Sequence, residues 1–299
     1  MRPRFSVVIP LRNDADVISR CVAGVLSQTF AAVEVIVVDS SSTDLSAEAV
    51  RVVADQRVRL SLSPADAGDI PGARKHGIDR ARGAWTILLD PQDEVEPGWL
   101  ARLGRLIDGT SAGFVSCGGV QRFSDGSEAS ITPIDVPGNP GVRACLRTGS
   151  FAAPTERFRA LQNADHADPV TMGLELVAAT SRAGESIVFT PEPLLRWNEP
   201  LAIPGDEQES ETGDALRLRW AMQAIDAMAR TPIPDGTLLA RYATIGGVAA
   251  ARLGQKRQAR RLFGVARSAV PQTPEHWVRW AASCVPVASG RIWPDTKVV

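Results

Sequence analysis

No CxxC pair occurs among the four cysteines of this 299-residue chain, Cys21, Cys117, Cys145 and Cys284. That spacing argues against a zinc site or a disulfide framework and for reduced thiols. Cys21 falls in a helical pattern and Cys117 in a strand pattern, where a thiol serves as a small core residue. No apolar run approaches the roughly 20 residues of a membrane-spanning helix. The opening MRPRFSVVIPLRND meets a charged turn after six apolar-type residues, too few for a secretory core, so a cytoplasmic protein is expected. Excess charge is also missing. With 33 basic and 34 acidic side chains the net charge is -1, which leaves no electrostatic footprint for nucleic acid. Lysine is scarce (Lys75, Lys256 and Lys297), which we read as base composition of the genome rather than function. Neither a GxGxxG turn nor a Walker loop is present to cradle phosphate. What remains, 44% hydrophobic and 22% charged, is a globular composition able to bury a sizeable core.

The first 90 residues alternate two periodicities. Phe5 to Ile9, Val33 to Val38, Val58 to Leu62 and Trp85 to Leu89 are short apolar strands. Ala15 to Leu26, behind a candidate Asp14 cap, and Pro71 to Arg82 carry apolar residues at helical spacing. Such alternation predicts an α/β fold, a mostly parallel sheet covered on both faces. Gly98 to Ile107 continues as helix, and Phe114 to Cys117 and Val120 to Phe123 as strands. Ser124 to Gly141 reads as loops, Phe151 to Leu161 and Leu174 to Ala183 as helices, and Ile187 to Phe189 and Leu194 to Trp197 as strands. A Pro/Gly and acidic break at Glu199 to Gly213 suggests two domains, 1–204 and 205–299. The second is helical throughout, with stripes such as Leu238, Tyr242, Ile245 and Ala249, and a hairpin at Gly254. Its outer face carries Arg252, Lys256, Arg257, Arg260, Arg261 and Arg267, a solvated face or a contact for anionic lipid or a partner.

In an open parallel sheet, ligands bind beyond the carboxyl ends of the strands. Three segments end strands there with polar chemistry: Pro10 to Asn13, Asp39 to Asp44, and Asp90 to Asp93. Two strand-terminal acids suit a ribose hydroxyl and a divalent ion, because carboxylates are hard oxygen ligands. The plainer alternative is that Asp39 and Asp90 cap their own turns.

The order of these segments resembles the family 2 glycosyltransferases. FSVVIPLRNDADVISRCVAGVLSQTF is similar to their opening strand and helix, VEVIVVDSSSTD to their second strand and acidic turn, and GARKHGIDRARGAWTILLDPQDEVEPGWL to their Asp-x-Asp segment. GSFAAPTERFRAL and FTPEPLLRWN look like the acceptor-side helix and closing strand, so the resemblance covers roughly residues 4 to 200. It implies the GT-A fold and transfer of a sugar from a nucleoside diphosphate sugar to an acceptor hydroxyl, with inversion. By position, Asp39 would bind the base beside Pro10, Leu11 and Arg12. Arg74 would lie near the base and diphosphate, and Asp90 would order the ribose and the metal shell.

Two departures stand out. The second acid of Asp-x-Asp, usually the metal ligand, is Gln92, so Mg²⁺ or Mn²⁺ would be weakly held or dispensable unless Asp93 substitutes. The family's catalytic carboxylate would fall at Met172-Gly173, which leaves Asp168 or Asp165, or Glu175 in a shifted register, as the base. The same departures support an alternative, a catalytically degenerate module that only binds or assembles. A glycan, lipid or small-molecule acceptor, a peripheral membrane contact and a homodimer are the partners the chain suggests. Ser111, in a GxSxG pattern, is expected in a turn because a helix precedes it and a strand follows. His76 is expected as an exposed helical residue or a phosphate contact. His166 has no further ligand at metal spacing. His276, Trp277 and Trp280 read as packing or an interfacial anchor, and Trp197 as core or a sugar platform.

Overall fold

The computed structural model describes residues 3–63, 69–122, 126–135, 143–161, 169–198, 218, 221–222, 225 and 236–283. They divide into two compact units, the first from the described parts of Met1–Arg122, Gly126–Ile134 and Val142–Glu199. The second comprises the described parts of Asp135–Gly141 and Pro200–Val299.

The first unit opens with β1 (Phe5–Leu11), α1 (Ala15–Leu26), β2 (Val33–Asp39), α2 (Ser46–Val52), β3 (Val58–Leu62), α3 (Ile70–Arg80) and β4 (Trp85–Leu88). Every residue of β1 and β2 is buried, as strands covered on both faces require. β1, β2 and β3 pair in parallel, and β4 joins β1 in parallel on its other side. The chain therefore steps outward from β1 to β3 and returns across it to β4. This reversal of strand order between β1 and β4 creates a crevice at their carboxyl ends.

Next in the chain come β5 (Glu94–Val95), α4 (Trp99–Asp108), β6 (Ala112–Arg122), β7 (Glu128–Ile131), β8 (Ile134–Asp135), β9 (Arg143–Ala144), β10 (Phe151–Pro154), α5 (Thr155–Ala160), α6 (Pro169–Arg182) and β11 (Ser186–Asn198). Among the described residues the main sheet runs β3-β2-β1-β4-β10-β6-β11-β5, with β7 on β6 and a separate β8-β9 pair. β10 is antiparallel to both β4 and β6, so it turns a parallel sheet into a mixed one.

Several local expectations change in this half. Phe151 to Pro154 is a strand rather than the start of a helix, because Phe151 and Ala152 pair with β6 and Ala153 and Pro154 with β4. The two strands expected around Gly118-Gly119 are one, as are the two in β11, whose register shifts around Pro193. Ser124 to Gly141 is not all loop, since Glu128–Ile131 pairs with β6. β1 runs through Pro10, because proline at that position costs only one ladder donor and the paired neighbours on both sides hold the strand.

In the second unit, α7 (Gly236–Arg252), α8 (Lys256–Ala269) and α9 (Pro274–Ser283) follow one another, the first two joined at Gly254 with φ +73°. Leu262 and Phe263 of α8 bury against Ala249, Ala250 and Ala251 of α7.

Gly119 is where β6 meets the fully buried Trp197 of β11. A Cβ there would lie 2.4 Å from Trp197 Cζ3 and 2.8 Å from the Leu195 carbonyl. Gly119→Val is expected to lower stability by about 1–3 kcal/mol through overpacking, read as an earlier midpoint in urea unfolding.

Candidate functional site

Three loops leave the carboxyl ends of β1, β2 and β4, strands that lie side by side. Asp39 ends β2 in register with Leu11 of β1. It is 4% exposed. Its Oδ1 accepts from the Ser42 N–H (2.9 Å) and hydroxyl (2.6 Å), while Oδ2 has no hydrogen-bond partner among the described residues. Asp39 thus caps its own turn and still keeps an acceptor for a ligand.

The first two loops are stitched together. Asn13 and Ser41 take left-handed φ values of 54° and 62°, a conformation that costs non-glycine residues energy. The Asn13 N–H donates to Ser42 Oγ (3.1 Å), the Thr43 N–H to Asn13 Oδ1 (2.8 Å), and the Asp14 N–H to Ser46 Oγ (2.8 Å). Asp14 does not cap α1 with its side chain, since no helical N–H reaches it. Instead its Oδ2 accepts the Arg12 N–H at 3.1 Å. Burial is the main cause that lifts the Asp14 carboxyl to a pKa of about 6, with the charges of Asp44 and Asp90 adding to it against the Arg12 N–H.

Asp90 follows β4 at the reversal point. Its Oδ1 accepts from the Arg74 guanidinium of α3 at 2.9 Å, and its Oδ2 from the Thr148 hydroxyl at 2.9 Å. Arg74 is almost fully buried, whereas the Asp90 side chain keeps 22% exposure. The Thr148 hydroxyl also lies 3.4 Å from Asp93 Oδ2. Burial, with the Asp90 charge second, drives the Asp93 carboxyl well above the usual range, against the opposing pull of Arg147 and of hydrogen bonds from the Asn198 N–H and Thr148. Burial thus disfavours the charged form of Asp93, whereas Asp90 faces the Arg74 guanidinium.

The Thr148 turn is itself held by two buried indoles. Trp197 Nε1–H donates to the Thr148 carbonyl (2.8 Å) and Trp99 Nε1–H to that of Gly149 (3.2 Å). The Arg147 guanidinium lies 4.2 Å over the Trp197 ring. Gly149 has φ +75°, and a Cβ on it would come within 2.6 Å of Leu195 Cδ2. Only glycine fits a turn pressed this tightly against the sheet.

Of the residues singled out from the sequence, Asp39, Arg12, Arg74, Asp90, Gln92 and Asp93 all lie on or just behind this rim. Pro10 and Leu11 do not line it, because they finish β1 inside the core and only Arg12 is exposed. Trp197 is core rather than a sugar platform. His76 is neither exposed nor directed at phosphate: its Nε2 meets Ser61 Oγ (2.9 Å) and its Nδ1 meets Arg80 (3.0 Å). Burial and the Arg80 charge hold its pKa down. Ser111 lies in a turn between α4 and β6. Met172 is buried and Glu175 exposed on α6. Asp165, His166 and Asp168 lie outside the described residues, as does Cys284. The other three cysteines are free and buried, and burial raises their thiols.

Thr148, Asn198 and the rim role of Asp14 had no motif to announce them. Thr148 is set by contacts far along the chain, its hydroxyl partner Asp90 being 58 residues away.

A divalent ion fits this donor set poorly. Asp90 is already paired with Arg74, Asp93 is buried behind the Thr148 hydroxyl, and Gln92 offers only an uncharged amide. No cluster of three His, Cys, Asp or Glu side chains suited to a metal occurs among the described residues.

Asp14 generates a pH prediction. A carboxyl raised from 3.8 to about 6 on folding favours its protonated form, so its ionisation costs stability as pH climbs through that interval. Asp14→Asn is expected to raise the thermal midpoint above about pH 6 and to leave it unchanged below about pH 4, as measured by calorimetry across pH.

Residues 6–159 match the model of Glycosyl transferase family 2. Over 279 residues the chain is 29% identical to the succinoglycan biosynthesis protein ExoO of Rhizobium meliloti, an alignment that covers 88% of this chain and 74% of ExoO. Two solved structures share its fold. TarS 1–349 of S. aureus with UDP-GlcNAc superposes with a TM-score of 0.61 at 16% identity, covering 90% of this chain and 82% of that one. The mannosyltransferase PcManGT of Pyrobaculum calidifontis with GDP-Man and Mn²⁺ gives 0.58 at 18% identity, covering 95% and 85%. The strand-order reversal, the acids at the ends of β2 and β4 and the family match together place this chain, a glycosyltransferase of GT-A fold, in glycosyl transferase family 2.

Proposed function

We propose that the chain moves a sugar from a nucleoside diphosphate sugar to an acceptor hydroxyl, with inversion at the anomeric carbon. One observation carries the donor half of this reading: buried Asp39, one of whose oxygens has no partner among the described residues, and the Arg74–Asp90 pair stand at the ends of β2 and β4, the strands on either side of β1. Asp39 would accept N–H groups of the base, and exposed Arg12 would stack on its face. Asp90 would accept a ribose hydroxyl while Arg74 supplies positive charge for the diphosphate. The UDP-GlcNAc and GDP-Man complexes of the two fold neighbours support a sugar nucleotide as donor. The likeness to a succinoglycan biosynthesis protein supports a growing glycan as acceptor.

In the transfer, the acceptor oxygen attacks the anomeric carbon, its proton passes to a carboxylate, and the nucleoside diphosphate leaves. We assign the proton to Asp168, with Asp165 as second choice, because buried Met172 and Gly173 offer no base at the expected position. In family members that bind it, a divalent ion supplies charge to the departing diphosphate. Given the poor donor set here, we expect only weak dependence on it, with Asp90 and Gln92 as its ligands and Asp93 behind them.

The second reading, a module that binds donor without turnover, rests on the same Met172-Gly173 position. Donor hydrolysis and transfer by wild type, Asp90→Ala and Asp168→Asn separate the two. The expected result is turnover in wild type, its loss in Asp90→Ala, and a fall in kcat of about 10²–10⁴-fold with unchanged donor KM in Asp168→Asn. Unchanged turnover in Asp168→Asn refutes the base assignment, and donor binding without any wild-type turnover establishes the module.

A further inference from the structure

Charge is segregated along this nearly neutral chain. Between Gly236 and Ser283 stand eight Lys and Arg residues against one acid, Glu275, although the chain as a whole carries -1. In α8, Ala259, Leu262, Phe263 and Ala266 are buried, and Lys256, Arg257, Arg260 and Arg261 are exposed on the remaining surface. Arg257, Arg260 and Arg261 form no ion pair or hydrogen bond among the described residues. Three guanidiniums at i, i+3 and i+4 share one face, and no described acid relieves their repulsion.

At the edge of this face lies apolar surface. The Arg267 guanidinium sits 4.6 Å over the Trp277 ring and 4.2 Å over that of Trp280. Trp277 Nε1–H is satisfied by the Pro271 carbonyl at 2.8 Å, yet the side chain stays 48% exposed, and its neighbour Val278 is 67% exposed. An open groove of about 470 Å³ runs alongside, lined by Leu239, Val265 and Ala269 together with Arg261 and Arg267. No helix among the described residues is long and apolar enough to cross a membrane.

We propose that this face of α8 and α9 docks the protein on an anionic phospholipid surface. The guanidiniums of Arg257, Arg260 and Arg261 would meet headgroup phosphates while Trp277 and Val278 enter the acyl boundary. Charge complementarity selects that occupant. A self-contact through this face would set like-charged helices against each other, and an uncharged surface would leave the guanidiniums without partners.

The test is co-sedimentation of the full chain with phosphatidylcholine vesicles, with and without phosphatidylglycerol, at low and high salt. The expected result is binding only to vesicles with phosphatidylglycerol, released by salt. It should weaken roughly a hundredfold in Arg257→Glu/Arg260→Glu/Arg261→Glu and severalfold in Val278→Asp. Both variants alter exposed side chains, so circular dichroism should match wild type. Should the triple variant misfold, the salt dependence and Val278→Asp decide alone. Equal retention on neutral vesicles, no retention at all, or binding indifferent to these substitutions overturns the proposal. So does a triple variant that changes the oligomeric state without changing vesicle binding.

Discussion

Two carboxylates, Asp90 and Asp93, share one Thr148 hydroxyl beneath a half-open crevice, and they cannot both be charged at low cost. The fold resolves this by inequality. Asp90 meets the Arg74 guanidinium at 2.9 Å and keeps 22% exposure. Asp93 is buried, and burial with the Asp90 charge raises its carboxyl well above the usual range. Every element that positions this junction serves the same end: α3 supplies Arg74, β4 delivers Asp90 to the strand-order reversal, and two indoles fix the turn that carries Thr148. The crevice thereby offers one partly exposed acid beside one guanidinium, a pair that matches a ribose hydroxyl and a phosphate better than a metal ion.

This arrangement explains how the chain differs from the pattern it resembles. Glutamine at position 92 removes the charge that would normally draw a cation to this edge. Asp93 does not replace it, because its oxygens are turned to Thr148 and to the Asn198 N–H. On the donor side the polar rim is intact. The acceptor side differs more, since Met172 is packed into the core where a carboxylate was expected.

How much of this was legible in sequence depended on range. β1 to α4 were readable because apolar period and turn residues within a dozen positions determine them, and the acids at the ends of β2 and β4 came with them. β10 was misread as helix because a short apolar segment suits either state, and its pairing with β4 and β6 decides. Thr148 was invisible for a related reason: its partner Asp90 lies 58 residues away. Nothing local marks a threonine that bridges two acids. Asp14 looked like an N-cap by position, and only the packing of the first two loops turns its carboxylate back to the Arg12 N–H. The basic stripe of α8 was evident at once, whereas the cation–aromatic stack of Arg267 on Trp277 and Trp280 needed the third helix in place.

The most direct test of a donor site built on Asp39, Arg74 and Asp90 is a thermal-shift screen with UDP, GDP, CDP and dTDP, each with and without Mn²⁺. Ligand at 100 times its dissociation constant adds about 2.7 kcal/mol, enough to move the midpoint by several degrees at this size. The account predicts a shift with one of these nucleotides, little changed by Mn²⁺ and absent in Asp39→Ala. No shift with any nucleotide, or one that requires Mn²⁺, would contradict it.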